Sequence, residues 1–349
     1  MYHLQGDGSV TDSEGRFVHV SPGRFKSWVR SGKNCIICGR TSEQVPFNDE
    51  HVLPQWILRN LDLSGKEIVL SNQTRIDYAH YRIPCCRECN TLMGARLEEP
   101  VRVLFEGGHQ KTSQHLKEKG PWLLIVWLAL IYIKTYYKDM FLRLHRDKRK
   151  PGVLIGDLYE WEYLHHTYCV ARAFYSGAVL HRNAMNSFLV VPAKMFDGIE
   201  PFDYCTLYDY QASLFRYKQI AILAVQNDGC ACQTMIRDYI RKIRGELSPT
   251  QLRELLARLA YSNHILKTRP RFGSDINLAE ERITITAERE SKFTSGGGSD
   301  QEFGLLLYFL CRNLMQSHPE ESRSQIEENL KSGRWGFLLD EHGNFRKSE

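Results

Sequence analysis

The sequence predicts an α+β protein, with a metal-stapled N-terminal domain and a larger C-terminal domain of mixed α/β character. Three observations carry that expectation. Two Cys-x-x-Cys pairs, Cys35/Cys38 and Cys86/Cys89, enclose 47 residues. An apolar run, WLLIVWLALIYI at 122–133, ends at Lys134. Beyond Pro151–Gly152, stretches with the two-residue period of strands alternate with stretches of helical period. The expected organisation is residues 1–110 as the cysteine-bearing domain, 111–150 as a linking apolar helix with a basic end, and 151–349 as the C-terminal α+β domain.

A chain of 349 residues with 42% hydrophobic and 25% charged residues has the composition of an ordinary globular protein, which excludes fibrous and disordered classes. The first residues, MYHLQGDGSV, lack the basic-then-apolar layout of a signal peptide, so a cytoplasmic location is expected. The run at 122–133 is well short of the roughly 20 residues needed to cross a bilayer and reads as a buried helix. Its aromatics Trp122, Trp127, Tyr132, Tyr136 and Tyr137 are therefore expected in the core rather than on a base-stacking surface.

The net charge of +5 is concentrated. Residues 111–150 hold 10 lysines and arginines against 3 acidic residues, whereas the segments on either side are near balance. The end of this stretch, RLHRDKRKPG, makes Arg146, Lys148, Arg149 and Lys150 candidates for phosphate-backbone contact, with a solvated helix end as the plainer alternative.

Ten cysteines without an export signal argue against a disulfide framework. Two Cys-x-x-Cys knuckles can present four thiolates to one tetrahedral Zn²⁺ in a structural site. A redox pair is the rival for either motif alone. Cys85 leaves the second knuckle open by one residue, and the spacing to Cys89 favours Cys86.

The enclosed segment contains VPFNDEHVLPQWILRNL, a short strand ending in Glu50–His51 followed by a helix whose Trp56, Ile57 and Leu58 can pack on the metal-bound frame. The order Cys-x-x-Cys-Gly, then Glu-His-x-x-Pro-x-Trp, then Pro-x-Cys-x-x-Cys-Asn followed by GARLE resembles the HNH endonucleases, the ββα-metal or His-Me finger nucleases with a zinc-binding four-cysteine core. The resemblance spans about residues 30–105.

It implies that His51 is the general base that deprotonates the attacking water. It further implies that Glu50 and Asn90 are ligands of a catalytic Mg²⁺ or Mn²⁺, beside the structural Zn²⁺ of Cys35, Cys38, Cys86 and Cys89. An amide oxygen suits so hard an ion. The family's middle asparagine falls on Tyr81, preceded by His80; either can take its place in holding the loop, with a plain strand residue as the equal alternative.

In the GARLEEPVRVL helix, Glu98 and Arg102 fall one turn apart, either lining the same cleft or forming a surface ion pair. Farther on, SFLVVP reads as a strand and the segment around Asn227–Asp228–Gly229 as a hairpin, with Cys230 and Cys232 on one strand face. Ser248 is expected to cap a helix with Pro249 in its first turn. A helix, FGLLLYFLCRNL, and a hairpin, WGFLLDEHGNF, are expected near the end. His165 and His166, adjacent on a helix, point apart and are expected at surface or half-buried positions.

The expected function is metal-dependent hydrolysis of DNA phosphodiester bonds, in a setting such as bacterial restriction or anti-phage defence. The C-terminal domain would supply recognition, control, homo-oligomerisation or a protein partner. Two alternatives stand beside it. One is a zinc-finger module that binds nucleic acid or protein without cutting. The other is a nuclease acting on RNA or awaiting a ligand or partner.

Overall fold

The computed structural model describes residues 1–195, 198, 200–290, 292–316 and 320–347. The protein is α+β, and the chain divides into two compact units that do not follow the sequence boundaries. The first comprises 1–106, 114–184 and 272–287, the second 107–113, 185–271 and 288–349. Residues 114–184 thus belong with the cysteine-bearing unit, where a boundary at Pro151–Gly152 was expected. The reason is packing, because an apolar helix must bury all its faces and does so in the unit it completes.

In the first unit, strand β1 (Phe47–His51) pairs antiparallel with β2 (Arg82–Cys86), in a register that sets His51 opposite Arg82 and Phe47 opposite Cys86. Helix α1 (Pro22–Ser31) precedes the hairpin, and α2 (Gln55–Asn60) follows β1 with Ile57 and Leu58 buried. Helix α3 (Arg87–Met93) leaves β2 directly and passes through a π-helical turn at Gly94–Glu98 into α4 (Glu99–Glu106).

The apolar run forms α5 (Trp122–Asp139), with Trp127, Tyr132, Tyr136 and Tyr137 buried and Trp122 half-buried, as the expectation of a core helix requires. No single helix among the described residues is long and apolar enough to cross a membrane. Helix α5 stops at Asp139, so the basic segment is a loop and not a helix end. The Asp139 carboxylate accepts hydrogen bonds from Ser71 and Tyr81, and the chain then turns back so that Gly156 N–H donates to the Met140 carbonyl.

Helix α6 (Trp161–Ala171) carries both histidines. His165 bonds the Val20 carbonyl at 2.8 Å, and His166 is buried, stacked on Phe272 with ring centroids 3.7 Å apart. The surface or half-buried position expected for His166 is corrected by that stacking, which buries the ring.

The second unit is built on a four-stranded antiparallel sheet of β3 (Phe188–Pro192), β4 (Phe202–Leu207), β5 (Ala212–Tyr217) and β6 (Ile220–Val225), in the order β4-β5-β6-β3. Strands β5 and β6 are buried throughout. Leu214 and Leu223 share a core with Leu252, Leu255 and Leu256 of α7 (Pro249–Ile265) and Leu307 of α8 (Asp300–Cys311). The start of α7 is the expected one, since Ser248 and Gln251 form a reciprocal capping box.

One hairpin expectation fails here and the other is met in a minimal form. After β6 the chain enters a short helix, Ala231–Met235, because the buried Asp228 accepts from the backbone N–H of Cys232 and of Ser187, both at 2.8 Å, and so caps a helix instead of turning a strand. Cys230 therefore sits at the turn and Cys232 in the helix. Near the C-terminus the antiparallel bridge Leu339–Phe345 is flanked by Asp340 N–H to the Asn344 carbonyl at 2.8 Å and Arg346 N–H to the Leu338 carbonyl at 3.0 Å, around a turn in which the Asp340 carboxylate accepts from the backbone of His342 and Asn344.

Gly333 follows α9 (Glu320–Lys331) with φ +73°, and a Cβ there would lie 1.8 Å from the Asp300 carbonyl oxygen. Gly333→Ala is expected to destabilise the second unit by about 1–3 kcal/mol, measured by urea unfolding. Gly297→Ala, where a Cβ meets nothing within 4 Å, leaves the midpoint unchanged.

Candidate metal centre and the His51 strand

The first knuckle is the turn Cys35–Arg40. Gly39 N–H donates to the Cys35 carbonyl and Cys35 N–H to the Arg40 carbonyl, each at 2.8 Å. Gly39 has φ +78°, and a Cβ there would run into the Trp28 ring at 2.2 Å, so the turn needs glycine on both counts. The second knuckle forms where β2 becomes α3. Cys86 is the N-cap residue of α3, and its Sγ accepts from Cys89 N–H at 3.4 Å.

These turns bring the sulfurs of Cys35, Cys38, Cys86 and Cys89, all buried, within 4.8 Å of one another. A tetrahedral metal such as zinc fits that donor set, whose ligands are thiolates when bound. Cys85, the other candidate for the register, belongs to the opposite face of β2 and lies 3.8 Å from Cys35, sulfur to sulfur.

Charges around the cluster support it. Arg40 Nε donates to Cys38 Sγ at 3.3 Å while its Nη2 meets Glu88 of α3 at 2.5 Å, so one guanidinium neutralises sulfur charge and ties the knuckles together. The buried Arg172, in the turn after α6, donates to the Ile37 carbonyl inside the first knuckle and to the Phe17 carbonyl, both at 2.6 Å.

His51 ends β1, at the end of the hairpin away from the cluster. Its ring is half-buried, and its pKa is held below the usual histidine value, first by burial and then by the Arg82 guanidinium across the ladder. Arg82 makes no ion pair among the described residues, and its Nε is buried without a hydrogen-bond partner. Val52 N–H donates to the Tyr81 carbonyl at 2.9 Å, and the buried Tyr81 hydroxyl donates to Asp139 at 3.0 Å. Of the two residues considered for holding this loop, Tyr81 does so, while His80 is exposed beside Asp77.

The remaining expected ligands do not assemble around an ion. Glu50, 7% exposed, points into the protein, where its Oε1 accepts from Lys134 Nζ at 2.7 Å. Asn90 Nδ2 donates to the Asn48 side chain at 3.2 Å, three residues back along β1 from His51, or roughly 10 Å at the rise of a strand. A carboxylate already paired and an amide held elsewhere do not fit the Mg²⁺ or Mn²⁺ that the resemblance implies. Sequence reasoning missed Lys134, whose one signal was a lone charge at the end of an apolar run.

Glu98 and Arg102 also part company. Arg102 pairs with Glu99 and Glu106 on the surface, whereas Glu98 turns inward to Lys134 at 3.8 Å. The basic loop is exposed. Arg146 donates to the Gln73 carbonyl at 3.2 Å and Arg149 is paired with Asp147, leaving the Lys148 and Lys150 side chains exposed to solvent.

Elemental analysis of the purified chain is expected to find about one zinc per molecule. Cys86→Ser should lose it and Cys85→Ser should retain it; zinc loss confined to Cys85→Ser would overturn the ligand set.

Burial pushes the Glu98 carboxyl up to about 7 from its ordinary 4.5, with the Lys134 ammonium opposing that rise and the Glu50 carboxylate adding to it. Between those values the folded state binds more protons than the unfolded one, so this group makes stability fall as pH rises from 4.5 to about 7. Glu98→Gln should therefore raise the Tm at pH 8 more than at pH 4.5. An equal change at both would show that Glu98 does not titrate in this way. No family model, no curated protein and no solved structure matches this chain.

Proposed function

We propose that the chain hydrolyses phosphodiester bonds of nucleic acid, DNA in the first instance, with His51 as general base. The observation that carries this reading is connectivity. β1 ends on His51 and pairs with β2, and β2 runs straight into α3 through the second knuckle, which is the hairpin-then-helix order of the ββα nucleases that residues 30–105 resemble.

The chemistry rests on the two residues at the end of the strand pair away from the cysteine cluster. An imidazole with a lowered pKa is neutral at neutral pH and can accept a proton from water. Side chains opposite one another on an antiparallel pair share a face, so Arg82 sets a guanidinium beside that imidazole, suited to phosphate oxygens. The four-cysteine cluster contributes rigidity to the other end of the same hairpin and takes no part in proton transfer. Lys148 and Lys150 in the exposed loop add sequence-independent attraction to a phosphate backbone.

A second reading rests on Glu50. With that carboxylate committed to Lys134, the same frame serves equally as a zinc-stapled module that binds nucleic acid without cutting it.

Supercoiled plasmid and a single-stranded RNA, each incubated with the protein with and without EDTA, separate the readings. Nicking or RNA cleavage that drops about 10²–10⁴-fold in His51→Ala supports hydrolysis. Equal cutting by both proteins removes His51 from the role of base. Binding without product by either supports the second reading. Lys148→Ala with Lys150→Ala should weaken binding and flatten its salt dependence by about two contacts.

A further inference from the structure

Lys134 lies in the middle of α5 with only 1% of its side chain exposed, among the buried Ile131, Ile133 and Tyr137. An ammonium so placed has left water behind and is stable only if oxygen atoms surround it. Three do, from two separate stretches of the chain. Glu50 Oε1 is at 2.7 Å, the His51 carbonyl oxygen at 2.8 Å and Glu98 Oε1 at 3.8 Å.

The third oxygen depends on the π-helical turn Gly94–Glu98. A π turn adds a residue to the helix and rotates the residues beyond it. Its last residue, Glu98, faces inward while the next, Glu99, faces Arg102 at the surface. Two carboxylates and a backbone carbonyl are the donor types that a hard divalent ion selects. Here they close on a lysine.

We propose that Lys134 is the built-in cation of this site, its ammonium standing beside Glu50 and the His51 carbonyl where a divalent ion would otherwise be held. Glu50 accordingly takes up no Mg²⁺ or Mn²⁺ while Lys134 is in place. Lys134 is a positioning residue: it bonds the main chain of His51 itself and thereby fixes the end of β1 and the direction from which the imidazole emerges. The inference takes its site from the hydrolysis reading, but its test reads bound ion and not cleavage, so the two fail separately.

The experiment uses the full-length, zinc-loaded chain and Mn²⁺ alone as probe. Crystals of the wild type soaked in Mn²⁺ should show no anomalous peak within bonding distance of Glu50. In solution, Lys134→Met, shown to be folded by circular dichroism and to retain zinc, should bind about one more Mn²⁺ per chain than the wild type by electron paramagnetic resonance. That gain should vanish in Lys134→Met with Glu50→Gln. A manganese peak on Glu50 in the wild type overturns the proposal, as does a folded Lys134→Met protein that gains no Mn²⁺. Should Lys134→Met not fold, the wild-type soak decides by itself.

Discussion

Four sulfur atoms within 4.8 Å of one another are the constraint on which the cysteine-bearing part of the first unit depends. They join stretches of chain that the sequence separates by 47 residues, and they do so at one end of the hairpin whose other end presents His51. A metal at this point would tie the two stretches together where a small domain has little apolar surface to spare. Arg40 reinforces the tie from outside, with one edge of its guanidinium on Cys38 and the other on Glu88. The enclosed residues are then free to build the strand, the loop and the short helix that surround His51 without having to supply a core of their own.

The opposite end of the hairpin is held by a different kind of force. Lys134, Glu50 and Glu98 form a buried ionic cluster, and Tyr81, Ser71 and Asp139 form a hydrogen-bonded one beside it, both anchored on α5. Losing one member of a buried ion pair costs about 3–5 kcal/mol, whereas exchanging the whole set for well-packed apolar residues is often neutral. Stability alone therefore gives little reason for a lysine in the middle of an apolar helix. Its contact with the His51 carbonyl gives a better one, since it settles where the strand ends. The same contact explains why Glu50 and His51, neighbours in sequence, play unlike parts: one faces inward to a cation, the other outward past Arg82.

Much of this was legible in the residues. Spacing alone selected the four thiols, because a Cys-x-x-Cys turn has one geometry and two such turns make one tetrahedral set. The cap at Ser248 and the end of the strand at His51 were equally local, as was the burial of Trp127 and Tyr132 in a run with no polar face. Where local signals competed, reading failed: Asn-Asp-Gly after β6 has the composition of a hairpin turn, but Asp228 commits its carboxylate to the N–H of Cys232 in the following helix and to the N–H of Ser187.

The sequence by itself determined the four cysteines that could hold a metal, the α+β character and the strand that offers a histidine, all of which depend on residues a few positions apart. Tertiary structure alone decided what Glu50 does, because its partner lies 84 residues away and no periodicity names a partner at that distance. Hydrophobic patterning says which faces turn inward. It does not say which buried carboxylate meets which buried lysine, and in a low-dielectric interior that pairing settles whether an acidic side chain is available to bind an ion or already holds one of its own.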